Sequence, residues 1–339
     1  MASISSQAGK SAARRTATGA AGWLGRRAAA DEGYGPAGRS PWLDIDWHEH
    51  QRWVTVNGDP VNVIELGPGR SSEAPAATAQ PLVFVHGLSG SWPNWLEQLP
   101  VFAAGRSSIA HRVIALDLPG FGHSPMPSQE ISISGYARLL DRLFDQLEID
   151  AAAVVGNSMG GFIGAELAIA FPQRVERLVL VSAAGLSTYG EPRAERAMPG
   201  LRRLERVLAA SAAWFASKSD TVALRRRLRQ LTMNLVVAHP DRLPAALVAE
   251  QMRGAGKPGF MQALAAVLEY DVRERLPEIA CPTLIVWGDR DRLIAVSDAD
   301  VFEELIPRSR KVILQDTGHM AMLERPAAFN ALLEEFLGE

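Results

Sequence analysis

The chain has 339 residues, 47% of them hydrophobic and 22% charged, with a formal net charge of −3. That balance belongs to a globular protein with a sizeable core, and the small negative charge gives no global reason to expect nucleic acid as a partner. The single cysteine, Cys281, excludes an internal disulfide framework and a cysteine cluster for zinc, and no apolar run reaches the roughly 18–20 residues that span a bilayer.

Residues 1–41 carry six basic side chains against two acidic ones, among much Ala, Ser and Gly. They lack the apolar stretch of a secretory signal, so the composition predicts a disordered tail, with a cytoplasmic location as the default. Two early strands follow at Arg52–Val56 and Val61–Leu66, with Asn57-Gly58-Asp59-Pro60 as the turn. After a polar loop at 67–80 come buried-strand candidates at Leu82–Val85, Arg112–Leu116, Ala151–Val155 and Leu178–Ser182. Two more stand late, at Thr283–Trp287 and Lys311–Leu314. Near-continuous Val/Ile/Leu runs are what a strand covered on both faces requires. Helical patterns lie between them at Ile131–Leu147, Met159–Phe171, Ser297–Leu305 and Pro326–Phe336, and this alternation predicts a mostly parallel sheet. Cys281, before Pro282 at the start of an apolar run, reads as a packing residue.

The rhythm breaks over residues 186–268, which show no strand pattern and carry thirteen basic against six acidic side chains. Leu201, Leu204 and Leu208 repeat at helical spacing, as do Leu224, Leu228, Leu231 and Leu235, with arginines interleaved. The expectation is a helical lid whose apolar face meets the body and whose arginines face solvent. The core is then split into 42–185 and 269–339.

Chemistry concentrates at Gly156-Asn157-Ser158-Met159-Gly160, which follows a strand and opens a helix. A G-x-S-x-G pattern in that setting is a nucleophile elbow. The sharp turn strains the serine backbone and brings neighbouring chain so close that only glycine fits two residues before and after it. A serine hydroxyl needs a base, and partners of such an elbow come later in the chain, acid before histidine. Of seven histidines, only His239 and His319 lie downstream. His239 precedes Pro240 inside the predicted lid with no strand before it, whereas His319 follows the last strand directly. The acid should end the strand at Thr283–Trp287, where Asp289 and Asp291 are both available.

From about residue 50 to 337 the chain resembles the α/β-hydrolase superfamily. Its Trp-Gly-x-x-Asp pattern corresponds to Trp287-Gly288-Asp289-Arg290-Asp291, so the resemblance assigns the triad acid to Asp291 and leaves Asp289 to the turn. His86-Gly87-Leu88 is similar to the family's oxyanion loop, which implies that the backbone N–H groups of Leu88 and Met159 hold an oxyanion. Asp117-Leu118-Pro119-Gly120-Phe121-Gly122-His123-Ser124 and Phe171-Pro172-Gln173-Arg174-Val175 resemble further turns of the family, which makes His86 and His123 structural. A serine at the elbow separates the chain from relatives that place aspartate there, the epoxide hydrolases and haloalkane dehalogenases. Asn157-Ser158-Met159-Gly160-Gly161 is similar to the elbow of carbon–carbon bond hydrolases that open ring-cleavage products. Gly87-Leu88-Ser89-Gly90-Ser91 departs from their usual Gly-x-Gly-Pro-Gly, and Met320 stands where a tryptophan often follows the histidine.

The resemblance implies a doubly wound α/β sheet of about eight strands with helices on both faces and an inserted lid. The family motifs do not specify the substrate; the reaction expected is two-step hydrolysis of a carboxylic ester by Ser158, His319 and Asp291, with no metal or organic cofactor implied. The partner is a small-molecule substrate with an apolar acyl group, for which Trp92 and Trp95 are candidate contacts. A carbon–carbon bond hydrolase and a slow-turnover ligand receptor of the same fold are the alternatives.

Overall fold

Asn57 and Gly58 take φ values of 53° and 91°, the left-handed pair that closes a two-residue hairpin. They join β1 (Gln51–Val56) to β2 (Asp59–Leu66) in antiparallel register. Pro60 belongs to β2 opposite Thr55, not to the turn. A computed structural model describes residues 33–68, 80–104, 110–187 and 217–339. The tail up to residue 32 and the stripe at Leu201, Leu204 and Leu208 lie outside the described residues.

The sheet continues with β3 (Pro81–Val85), β4 (Arg112–Leu116), β5 (Ala152–Asn157), β6 (Val175–Val181), β7 (Thr283–Gly288) and β8 (Ser309–Leu314). The eight strands run in the order β1-β2-β4-β3-β5-β6-β7-β8, and every pairing from β4 to β8 is parallel. Every residue of β5 and β7 is buried, as expected for strands covered on both faces, whereas the edge strand β8 buries only Leu314 fully.

Successive side chains feed opposite cores. Val83, Val85 and Val154 join one, together with α1 (Ile133–Gln146), α2 (Met159–Ala170) and α7 (Ser297–Leu305). Leu82, Phe84 and Val155 join the other, with Trp95, Phe102 and α8 (Pro326–Leu337). Ser132 starts α1 by accepting from the Gly135 N–H at 3.1 Å, a side-chain cap that satisfies one orphan donor. Cys281 packs against the first core, and burial pushes its thiol up.

Between β6 and β7 stand α3 (Ser219–Leu224), α4 (Arg226–Met233), α5 (Ala245–Arg253) and α6 (Phe260–Glu269), with no strand among the described residues there. One expectation is corrected here. Leu224, Leu231 and Leu235 are 75%, 75% and 56% exposed, so of this stripe only Leu228 packs against the body. Val222, Ala223, Met233, Leu247 and Val248 supply the buried contacts instead. Arg225, Arg226 and Arg227 are exposed.

Ordered packing also starts earlier than the boundary at residue 41. Ser40 Oγ and Trp42 Nε1 each donate to Glu97 Oε1 at 2.7 Å, and the Tyr34 hydroxyl donates to Glu324 Oε2 at 2.7 Å. Residues 33–41 are therefore tied to the body by buried polar contacts. Among the described residues, no helix is long and apolar enough to cross a membrane.

Candidate active site

Strand β5 ends at Asn157 and α2 begins at Met159, leaving Ser158 between them with φ 55° and ψ −118°. A serine seldom adopts that backbone, and the surroundings must impose it. They do so from both sides, since Ser158 N–H donates to Val181 O at 2.9 Å and Ala184 N–H donates to Ser158 O at 3.1 Å. A Cβ on Gly156 would lie 2.2 Å from Gly160 O, and one on Gly160 would lie 2.2 Å from Val85 O, so neither position admits a side chain. Met159 is the first residue of α2, where a backbone N–H has no acceptor within the helix and the dipole is positive.

Strands β7 and β8 end at the same carboxyl edge of the sheet, and the loops after them carry Asp291 and His319. His319 Nδ1 lies 2.8 Å from Asp291 Oδ2. Asp291 Oδ1 accepts from the backbone N–H groups of Leu293 at 2.8 Å and Ile294 at 3.0 Å. Burial pushes the Asp291 carboxyl up, but the hydrogen bond and charge of His319 and the two amides outweigh it and hold the group below its usual range. An ionised Asp291 accepts, so Nδ1 carries a proton, and in the neutral imidazole Nε2 then keeps its lone pair. Nε2 is buried and makes no hydrogen bond among the described residues. His319 and Ser158 line the same cavity. No hydrogen bond joins Nε2 to the Ser158 hydroxyl in this conformation.

The rival residues are placed elsewhere. Asp289 Oδ1 accepts from the Thr317 N–H at 3.2 Å, which fastens the turn after β7 to the loop before His319. His239 Nε2 sits 2.8 Å from Asp316 Oδ1, beside Arg290 on the same carboxylate, and His239 does not line the cavity. His86 is fully buried. Its Nε2 accepts from Leu118 N–H at 3.0 Å, so Nδ1 is protonated and donates to Gly87 O at 2.8 Å. Burial holds this histidine below its ordinary value, hence neutral. Asp117 ties the neighbouring loops together, accepting from Trp92 N–H, His123 N–H and Asn62 Nδ2 at 2.8 Å each. Those contacts hold the loop that brings Leu88 to the cavity wall beside Met159.

Trp92 and Trp95 do not reach the cavity. They stand three residues apart in a 3₁₀ turn, where such positions eclipse on one side. Trp95 packs on Phe84 with ring centroids 4.9 Å apart, and Trp92 packs on Trp47 at 4.7 Å. Asn94, on the other side of the turn, lines the cavity instead. Its Nδ2 donates to Gln251 Oε1 at 2.6 Å, and Gln251 Nε2 donates to Pro93 O at 2.9 Å, joining α5 to the body. Sequence reading missed both residues. Asn94 was masked by its flanking tryptophans, and nothing local distinguishes Gln251.

The cavity measures about 730 Å³ and its wall is largely apolar, including Met159, Val236, Met252, Phe260, Leu264 and Val267. Among the described residues that line it there is no Lys, Arg, Asp or Glu. Leu231, Leu235 and Leu293 line it while remaining exposed, which places them at its mouth, whereas the equally exposed Leu224 does not line it.

Residues 80–326 match the family described as alpha/beta hydrolase fold. The chain belongs to that family. Over 269 residues this α/β hydrolase is 30% identical to the dihydrolipoyllysine-residue acetyltransferase component of the acetoin cleaving system of Cupriavidus necator, a match covering 77% of this chain. The chain spans less than two thirds of that relative, 64% of its length. A 2-hydroxy-6-oxononadienedioate/2-hydroxy-6-oxononatrienedioate hydrolase of Cupriavidus pinatubonensis is 31% identical over 273 residues, covering 77% of this chain and 88% of that protein. Among solved structures, a bacterial membrane phospholipase A superposes with a TM-score of 0.64 at 26% identity, covering 88% of this chain and 90% of that one.

Proposed function

We propose that this α/β hydrolase is a serine hydrolase that cleaves carboxylic esters of neutral, apolar acyl groups through an acyl-enzyme. The observation that carries the reading is the Asp291–His319 pair, whose unengaged Nε2 belongs to the same apolar cavity as the strained Ser158. In this mechanism Ser158 Oγ attacks the acyl carbon while His319 Nε2 takes its proton. The backbone N–H groups of Leu88 and Met159 hold the oxyanion of the tetrahedral intermediate. His319 returns the proton to the departing alkoxide, and water, activated by the same nitrogen, then releases the acid. Asp291 fixes the tautomer and stabilises the imidazolium. The chemistry calls for no metal or organic cofactor. Helices α3–α6 serve as the described part of a lid over 186–268, and the leucines at the mouth favour entry of an apolar chain.

A second reading is carbon–carbon bond hydrolysis, favoured by the elbow and by the relative from Cupriavidus pinatubonensis. The name of that relative's substrate denotes a dicarboxylate. A carboxylate buried without a cationic or hydrogen-bonding partner is costly, and the described cavity wall offers no Lys or Arg. This charge argument favours the ester. A slow receptor would show itself by the absence of steady-state turnover.

The test compares kcat/KM for a medium-chain aryl ester and for a dienol dicarboxylate ring-cleavage product. The ester is expected to win by about tenfold or more, and the same margin for the dienol would replace ester hydrolysis with carbon–carbon cleavage.

A further inference from the structure

We infer that Tyr34 and Glu324 act as a pair of positioning residues for His319, which makes the segment at residues 33–46 part of what aligns the proposed base. The inference rests on the serine-hydrolase reading. Glu324 is fully buried, one turn beyond His319. Its carboxylate accepts from Gly318 N–H at 2.9 Å and Met320 N–H at 3.2 Å, the two amides that flank the histidine. It also accepts from Ala238 N–H at 2.8 Å and from the Tyr34 hydroxyl at 2.7 Å. The amide of His319 itself donates to Val236 O at 3.1 Å.

Three consecutive amides of the histidine loop are therefore fixed, two by Glu324 and one by a chain segment that Glu324 also holds through Ala238. The side chain of His319 is oriented by Asp291, and its backbone by this closed ring of hydrogen bonds. Both are needed, because an imidazole misplaced by an ångström loses its proton path.

Tyr34 completes the arrangement. Its oxygen donates to Glu324 and accepts from His239 N–H at 2.8 Å, and its ring stands edge-on to the His239 imidazole at 5.3 Å. Arg242 and Arg325 cover its ring at 4.7 and 5.0 Å, and Gly35 N–H donates to Glu324 O at 2.7 Å. Burial pushes the Glu324 carboxyl up, while the four donors aimed at its two oxygens favour the ionised form, and the amide of a glutamine would turn a donor of its own toward them. Residues 33–46 precede the stretch that matches the family, residues 80–326.

The test uses the full chain with Tyr34→Phe, Glu324→Gln, the double variant and Ser158→Ala as control. Three readouts are followed on a short neutral ester: kcat, KM, and the rate at which a fluorophosphonate labels Ser158. Tyr34→Phe is expected to lower kcat about three- to tenfold and Glu324→Gln about ten- to a hundredfold, with KM within about twofold. The labelling rate should fall in parallel, and the double variant should lose less than the product of the single losses. A merely structural strap would change stability or KM and leave the reactivity of Ser158 intact. If Glu324→Gln does not fold, Tyr34→Phe, which deletes one oxygen, carries the test alone. A kcat and labelling rate for Tyr34→Phe within about twofold of the parent overturn the inference. Turnover surviving in Ser158→Ala would instead overturn the serine-hydrolase reading beneath it.

Discussion

Asn157 Nδ2 donates to the backbone carbonyl of His319 at 3.3 Å, so the residue just before Ser158 is bonded to the proposed base 162 positions away in the chain. The same amide donates to Val181 O at 3.1 Å, which anchors the elbow to β6. Asn157→Ala leaves two buried carbonyls without this donor. It should destabilise the protein by about 1–3 kcal/mol, measured by urea unfolding. It should also lower kcat by about tenfold through loss of alignment. An unchanged kcat in the folded variant would show that this bond does not align the site.

The two aspartates after β7 should separate cleanly. Asp291→Asn removes the acceptor that fixes the His319 tautomer, and kcat should fall about 10²- to 10⁴-fold with the fold retained. Asp289→Asn touches only the turn bond to Thr317 and should change stability by about 1 kcal/mol or less with kcat nearly unaffected. Steady-state kinetics of both variants decide the matter, and the opposite ranking would move the acid to Asp289.

Acid sensitivity follows from His86. Burial depresses its protonation below the ordinary value of 6.5, so the folded chain keeps it neutral while the unfolded chain takes up a proton. The stability this contributes is complete above 6.5 and is lost as pH falls through the window below it. His111 is depressed by burial as well and adds to the same slope. Urea midpoints taken between about pH 7.5 and 5.5 should drop less in His86→Gln than in the parent, whatever the variant's absolute stability. Equal slopes would exclude His86 as a source of the acid loss.

At the mouth, Leu231 and Leu235 are exposed yet line the cavity. Replacing both by serine should raise KM for a long-chain ester about tenfold, because lost apolar contact weakens binding of the chain, and leave a short ester unaffected. Charge reversal at Arg225, Arg226 and Arg227, all exposed, should leave kcat on a small neutral ester nearly unchanged. A large loss on the short ester in either set would place these residues near the reacting atoms.

Strand β4 and helix α7 match the sequence reading to the residue, and the other strands differ only at their ends. A strand covered on both faces leaves little room for polar residues, so its boundaries show in the amino acids. The elbow was legible for a similar reason, since close approach of backbone at Gly156 and Gly160 admits only glycine. Periodicity could say that Leu224, Leu228, Leu231 and Leu235 share a face, but not that Leu231 and Leu235 border an open cavity. Composition could mark Trp92 and Trp95 as apolar, but not that the 3₁₀ turn directs both indoles into the core. Tyr34 was hidden because its partner, Glu324, lies 290 residues away. Local pattern carries no trace of such a contact.

The most direct test of the central claim is to react the full chain with a fluorophosphonate and map the adduct by peptide mass spectrometry. The account predicts one adduct, on Ser158, that disappears in Ser158→Ala along with a turnover loss on the order of 10³-fold or more. An adduct on another residue, or turnover that survives in Ser158→Ala, would contradict it.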